Sequence, residues 1–252
     1  MKKGFLLFAY NNESVDYVKM AIWTRNRLKR YYDLPVCLVT DSESIGQNLD
    51  FFDYVILSDC VTEQKKLYNK TPLTFRNINR SQSYQITPFE ETIILDTDIF
   101  ICSNKLNALW HSNLDVAVCK NCIDVFGRNW AETQYINTTG IEFYWASICY
   151  FKKNYESKVF FDYCRQIADN YDYYQKQYNL KDSILRNDHV WSIASHWYKP
   201  DLIPSQLWYS IDRDSIVELG DNYVILENEH KIKIYDRDVH IMNKLDLLKY
   251  IK

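Results

Sequence analysis

The 252-residue sequence has no excess of either charge. Thirty Lys and Arg stand against 33 Asp and Glu, for a formal net charge of -3 and a pI near 6.0, so no global field draws the chain to a polyanion such as DNA. The one basic run, TRNRLKRYY from Thr24 to Tyr32, reads as a solvated helix face. No apolar run approaches the roughly 20 residues needed to span a bilayer. The opening MKKGFLLFAYNN has two lysines and an apolar stretch from Phe5 to Tyr10 but no small-residue cleavage site, so it reads as a first strand and not as a signal peptide. Nor is there a Gly/Ser/Pro-rich linker, with 5 Gly and 5 Pro in all, and the chain is expected to form a single domain. Seven cysteines, an odd number scattered between positions 37 and 164, argue for reduced thiols and a cytoplasmic setting. The close pair Cys119 and Cys122 lacks a second pair or a nearby histidine to complete a zinc site.

What is abundant is aromatic and apolar: 47% hydrophobic residues, with 21 Tyr, 12 Phe and 7 Trp, enough for a large core without disulfide or metal staples. Phe5–Tyr10, Val36–Asp41 and Asp53–Asp59 are short apolar runs of the kind found in strands buried on both faces. Between the first two, Val15, Val18, Ile22 and Leu28 recur near the helical period up to Pro35. This alternation predicts an open α/β sheet, mixed but mostly parallel and flanked by helices. Residues 60–90 read as helical and looped, 114–119 and 146–151 as further strands, and 154–174 and 186–198 as helices. After Pro204 come short strands and a final helix, a β-rich tail expected to fold against the main sheet. In such sheets ligands bind beyond the carboxyl ends of the strands, which here carry Tyr10, Asn11, Asn12, Thr40 and Asp41.

The stretch ETIILDTDIFI, Glu91 to Ile101, places Asp96 and Asp98 in an otherwise apolar strand. On an extended chain residues two apart point the same way. Adjacent buried carboxylates repel unless a cation neutralises them, and a hard divalent ion such as Mn²⁺ or Mg²⁺ is suited to carboxylate oxygens.

This stretch resembles the strand and D-x-D motif of GT-A-fold glycosyltransferases, most closely the retaining family that includes glycogenin and galactosyltransferases. The resemblance implies a GT-A-like sheet over 1–252, with a nucleotide-binding half at 1–103 and an acceptor half at 104–252. It implies Mn²⁺ (or Mg²⁺) held by Asp96 and Asp98 and bridging the diphosphate of a nucleotide sugar. VHIMNK is similar to the family's H-x-x-G-x-x-K-P-W motif, which assigns His240 as a third ligand and Lys244 as a phosphate contact; the glycine and the closing Pro-Trp are absent, and the lysine comes early. Arg76 and Arg80 precede the D-x-D strand, and the spacing favours Arg80 as the basic residue that reaches the donor. Tyr10, with Asn11 or Asn12, matches the segment that binds base and ribose, though Tyr10 can equally close the core. Thr97, between the two aspartates, joins the substrate-binding set. RNDHVW is similar to the segment whose acid contacts the donor sugar, which makes Asp188 the catalytic candidate and equally a favourable helix N-terminal acid. The family's N-[ST]-G strand has only WASICYF against it.

The implied activity is metal-dependent transfer of a hexosyl or pentosyl group from a nucleoside diphosphate sugar, with retention. The acceptor stays open between saccharide, protein, lipid and modified nucleobase. Trp130, Trp145, Trp191, Trp197 and Trp208 are either core or a sugar platform. The alternatives are a nucleotide-sugar-binding protein without transfer activity, a nucleotidylyltransferase-like enzyme, which should carry an early Gly- and Lys-containing phosphate loop where this chain has FAYNNES, and, more remotely, a nuclease.

Overall fold

In the computed structural model the protein is described over residues 2–58, 64–68, 71–76, 79–120, 122–128, 134–138, 140–180, 184–207, 209–212, 214–227 and 231–251. In chain order the strands and helices are β1 (Lys3–Phe8), α1 (Tyr17–Tyr31), β2 (Val36–Thr40), α2 (Ser42–Ile45), β3 (Tyr54–Leu57), β4 (Gln64–Tyr68), β5 (Thr71–Phe75), α3 (Ser83–Ile86), β6 (Glu91–Leu95), β7 (Ile99–Phe100), α4 (Asn107–Trp110), β8 (Val116–Cys119), β9 (Ile123–Asp124), β10 (Trp145–Lys152), α5 (Tyr155–Asp169), α6 (Tyr171–Gln177), α7 (Asn187–Tyr198), β11 (Asp201–Leu202), β12 (Tyr209–Ile211), β13 (Ile216–Leu219), β14 (Tyr223–Leu226), β15 (Lys231–Lys233), β16 (Val239–Ile241) and α8 (Lys244–Tyr250).

Seven strands form the main sheet in the order β11-β8-β10-β6-β1-β2-β3. The neighbours β6, β1, β2 and β3 run parallel, and β10 runs antiparallel between β6 and β8. Every residue of β2 and β6 is buried, which is why these strands read as unbroken apolar runs and show no alternation. Because β10 is reversed, its first residues lie at the same edge as the carboxyl ends of β1, β2 and β6. That edge carries the candidate site.

The C-terminal part is β-rich, as expected, but its strands form sheets of their own: β16 and β12 combine with β7 and β9 into a second, four-stranded sheet, and β13, β14 and β15 form a third. These surround a separate apolar core that includes Phe100, Ile211, Val224, Val239, Ile241 and Leu247. A two-residue strand such as β7 has no sequence signature of its own, so this pairing is invisible in the pattern. Within the span expected as helix and loop, β4 and β5 pair antiparallel, Gln64 opposite Phe75 through Tyr68 opposite Thr71. The helix expected over 154–174 is broken at Asn170 (φ -122°), which starts α6 and whose side chain turns back to the Gln166 carbonyl (2.9 Å).

The basic helix α1 is less solvated than its sequence suggests. Arg27 is buried, donating through Nε to the Ile101 carbonyl (2.7 Å) and through Nη2 to the Asp221 carbonyl (2.6 Å). Its guanidinium also lies over the Phe100 ring, 4.3 Å from the centroid. Arg30 pairs with the Asp221 carboxylate at 2.9 Å. Both tie α1 to the second core. Among the described residues no helix is long and apolar enough to cross a membrane. Cys119 is buried at the end of β8 with Cys122 half-buried nearby, and no disulfide joins them. Trp191 is fully buried and belongs to the core, and Trp197, partly buried, packs edge-on against Tyr163 and Tyr174. Trp130, Trp208 and Asp59 lie outside the described residues.

Candidate active site

β6 ends at Leu95, and Asp96, Thr97 and Asp98 form a turn that hands the chain to β7 in the second sheet. The aspartates therefore converge through a turn, not through strand alternation. Asp96 keeps 23% of its side-chain exposure while Asp98 keeps 1%. Three hydrogen bonds hold the turn: Asp96 N–H donates to the Ser147 carbonyl (2.9 Å), Ile241 N–H to the Asp98 carbonyl (2.9 Å), and the Thr24 hydroxyl of α1 to the Thr97 carbonyl (2.7 Å). Thr97 is buried.

His240 arrives from β16, where Val239 and His240 pair with Phe100 and Ile99 of β7. Its Nε2 lies 3.2 Å from Asp98 Oδ2 and 3.8 Å from Asp96 Oδ2. One ligand atom from each of Asp96, Asp98 and His240 lies within 4.8 Å of the others. One imidazole and two carboxylates fit a hard or borderline divalent ion such as Mn²⁺ or Mg²⁺.

Two cations flank the cluster. Arg80, almost wholly buried, donates to the Ala146 carbonyl and to Asp96 Oδ1. Lys244, the first residue of α8, places Nζ 2.6 Å from Asp98 Oδ2. Burial alone would raise the Asp98 pKa, but Lys244 and His240 outweigh it and hold the carboxyl well below the usual range. Burial likewise disfavours charge on His240, and Asp98 overrides this so that the imidazole pKa is raised. The Lys244 pKa is raised in the same way, against burial and by Asp98.

Asp188 sits in the first turn of α7, where the helix dipole favours an anion. Its Oδ1 accepts the Ala146 N–H (2.9 Å) and its Oδ2 the Arg186 guanidinium (3.2 Å). Burial works to raise its pKa, and Arg186 with the Ala146 amide more than offsets that, leaving it lowered. Ala146 thus links Arg80 and Asp188 through its carbonyl and amide. On either side of it, Ser147 holds Asp96, and the Trp145 ring packs edge-on against His240 (centroids 6.3 Å apart). Tyr144 N–H donates to Ser192 Oγ (2.8 Å), which donates to the Asp188 carbonyl (2.6 Å). The start of β10 is the hub of the site. The sequence set WASICYF against the family's N-[ST]-G strand only as a departure, because the contribution of this segment is mostly backbone and leaves no side-chain motif beyond Trp145.

The β1 end is organised differently. Tyr10 is buried. Asn11 Oδ1 accepts the Val18 N–H (3.0 Å), its Nδ2 donates to the Ser44 carbonyl (3.4 Å), and its backbone N–H donates to Ser44 Oγ (2.8 Å). Asn12 accepts from Ser14 and Val15 N–H (3.0 and 2.9 Å) and donates to the Thr74 carbonyl (2.8 Å). Both asparagine side chains are thus engaged in shaping the loop and anchoring β5. Arg76 lies 4.0 Å from the Glu43 carboxylate.

No family model matches the sequence, and no curated protein sequence matches it. Among solved structures, mouse xyloside xylosyltransferase 1 matches 95% of this chain and 97% of its own at 10% identity, with a TM-score of 0.53. The glycosyltransferase GlyE of Streptococcus pneumoniae TIGR4 matches 84% of this chain at 14% identity, with a TM-score of 0.51. The match takes in 47% of the GlyE chain, so this chain spans about half its length. The fold is the GT-A fold of these structures, as the D-x-D strand led us to expect.

Proposed function

We propose that this GT-A-fold chain is a metal-dependent glycosyltransferase that takes a hexosyl or pentosyl group from a nucleoside diphosphate sugar and delivers it, with retention, to an acceptor. The observation that carries the reading is the convergence of Asp96, Asp98 and His240, from two different sheets, beside Arg80, Lys244 and Asp188. A structural role for so many charges at one sheet edge would cost desolvation with no return in packing.

Asp96, Asp98 and His240 would hold Mn²⁺ or Mg²⁺. Bound there, the ion supplies Lewis-acid charge that offsets the negative charge developing on the departing diphosphate. Lys244 adds a mobile positive charge on the same side, and Arg80 keeps Asp96 oriented. Asp188 stays ionised and would face the donor sugar, steadying positive character at the anomeric carbon as the bond to the diphosphate oxygen breaks and the acceptor oxygen bonds in its place, the acceptor's hydroxyl proton passing to the departing diphosphate oxygen. The site needs no protein acid for the leaving group. Thr97 contributes through its place in the turn, and Tyr10, Asn11 and Asn12 through the loop beneath the nucleotide. The acceptor is a saccharide, protein, lipid or modified nucleobase, and the working compartment is the cytoplasm.

A thermal-shift screen of nucleotide sugars with and without Mn²⁺ tests the class: one donor is expected to stabilise the protein only with the ion present. Asp96→Ala and Asp98→Ala should each cut metal-dependent hydrolysis of that donor by about 100-fold or more, given the several kcal/mol such a site supplies. Unchanged turnover in either variant would remove the site from the reaction, and donor binding without any turnover in the parent protein would favour a binding module.

A further inference from the structure

The two cations beside the cluster are held very differently. Arg80 is 3% exposed and bonded at once to the Ala146 carbonyl and to Asp96, so it is fixed from two sides. Lys244 keeps 27% of its side-chain exposure, and its one hydrogen bond to the cluster is to Asp98 Oδ2. That same oxygen is the Asp98 atom nearest His240 Nε2, at 3.2 Å. A divalent ion ligated by His240 and Asp98 sits about 2.1 Å from a carboxylate oxygen and therefore draws on the oxygen that the Lys244 ammonium already engages. Ammonium and ion repel each other at such range, and Asp98, almost wholly buried, has no solvent to screen them. Lys244 lies at the solvent rim on a four-carbon stem, so it can swing outward toward a phosphate without disturbing the backbone of α8.

We propose that Lys244 is a displaceable counter-ion of the Asp96–Asp98–His240 cluster, which weakens binding of the divalent ion alone and makes ion and diphosphate binding depend on each other. By itself the ion must compete with the ammonium for Asp98. When a diphosphate arrives with it, the phosphate oxygens give the ammonium a new anionic partner, and Asp98 is released to the ion. This rests on the metal site of the proposed function and adds an order to its assembly.

The test is Mn²⁺ affinity, read by calorimetry or by the loss of free-ion paramagnetic resonance signal, with and without inorganic pyrophosphate. In the parent protein pyrophosphate should tighten Mn²⁺ about tenfold or more. Lys244→Met should bind Mn²⁺ alone about tenfold more tightly than the parent and show little further gain with pyrophosphate. Lys244→Gln, whose amide can still donate to Asp98, should shift in the same direction and covers the case in which the methionine variant fails to fold. Lys244→Arg, which keeps the charge, should stay near the parent value. Unchanged or weaker Mn²⁺ binding in a folded Met or Gln variant overturns the counter-ion role while leaving the metal site intact. A parent protein that binds no Mn²⁺, or binds it equally well as Asp98→Ala, overturns the metal site itself.

Discussion

His240 links protonation to ligation. An imidazole must be neutral to bind a metal ion, and Asp98 raises the pKa of this one above its ordinary 6.5. Mn²⁺ affinity should therefore keep climbing as pH rises past 6.5, where an ordinary imidazole would already be neutral; a flat profile would take His240 out of the ligand set. Two residues away, Asp238 has the opposite problem. It is wholly buried, and its Oδ1 accepts the Cys102 and Ser103 amides (2.8 and 3.0 Å), yet burial pushes its pKa up to about 6. An acid whose pKa is raised by folding favours the folded state most below its ordinary value of 3.8 and loses that contribution as pH climbs through 6. A tenfold change in proton affinity is worth about 1.36 kcal/mol, so Asp238→Asn should gain up to ~3 kcal/mol over the parent between about pH 4 and pH 7.5 in urea unfolding. Legibility at this scale followed chemistry. Asp96 and Asp98 stood out because charge in an apolar strand has few uses, whereas His240, Lys244 and Arg80 were reached only through the family resemblance; the five side chains lie together. Asn11 and Asn12 looked the same in sequence whether they read a base or cap a loop, and only their hydrogen bonds distinguish the two.

At the scale of elements, the turn between β6 and β7 depends on a helix that carries no site residue. Thr24 of α1, fully buried, donates to the Thr97 carbonyl from 73 residues away. Thr24→Val keeps the volume and removes the donor, leaving a buried carbonyl unsatisfied. It should cost about 1–3 kcal/mol in denaturant unfolding and also weaken Mn²⁺ binding, whereas a loss of stability with unaltered Mn²⁺ affinity would make the bond purely structural. The strands β1, β2 and β6 were readable because double-sided burial writes unbroken apolar runs. The β4–β5 pairing was not, since Gln64–Tyr68 and Thr71–Phe75 mix lysine, proline and threonine with few apolar residues. The break between α5 and α6 escaped because the helical spacing continues through Asn170, and a backbone rotation at one residue leaves no mark on periodicity.

Across the whole molecule, two apolar cores meet at the cluster: Asp96 and Asp98 cap the main sheet, and His240 belongs to the second. An ion bound by all three is a cross-link between the cores. At 100 times its dissociation constant Mn²⁺ should add about 2.7 kcal/mol to unfolding, in one cooperative transition for both cores, an effect that Asp98→Ala should remove; two separated transitions with Mn²⁺ moving only one would argue that the cores are not coupled through the site. The handover from β6 to β7 also has a consequence in time. β7 is synthesised long before its partner β16, and Asp98 lies 146 residues ahead of Lys244. At about 5–20 residues per second, a nascent chain spends roughly seven to thirty seconds with its paired aspartates made and their histidine and lysine still to come. The clock of translation thus delays assembly of the cluster until the last of its parts has emerged.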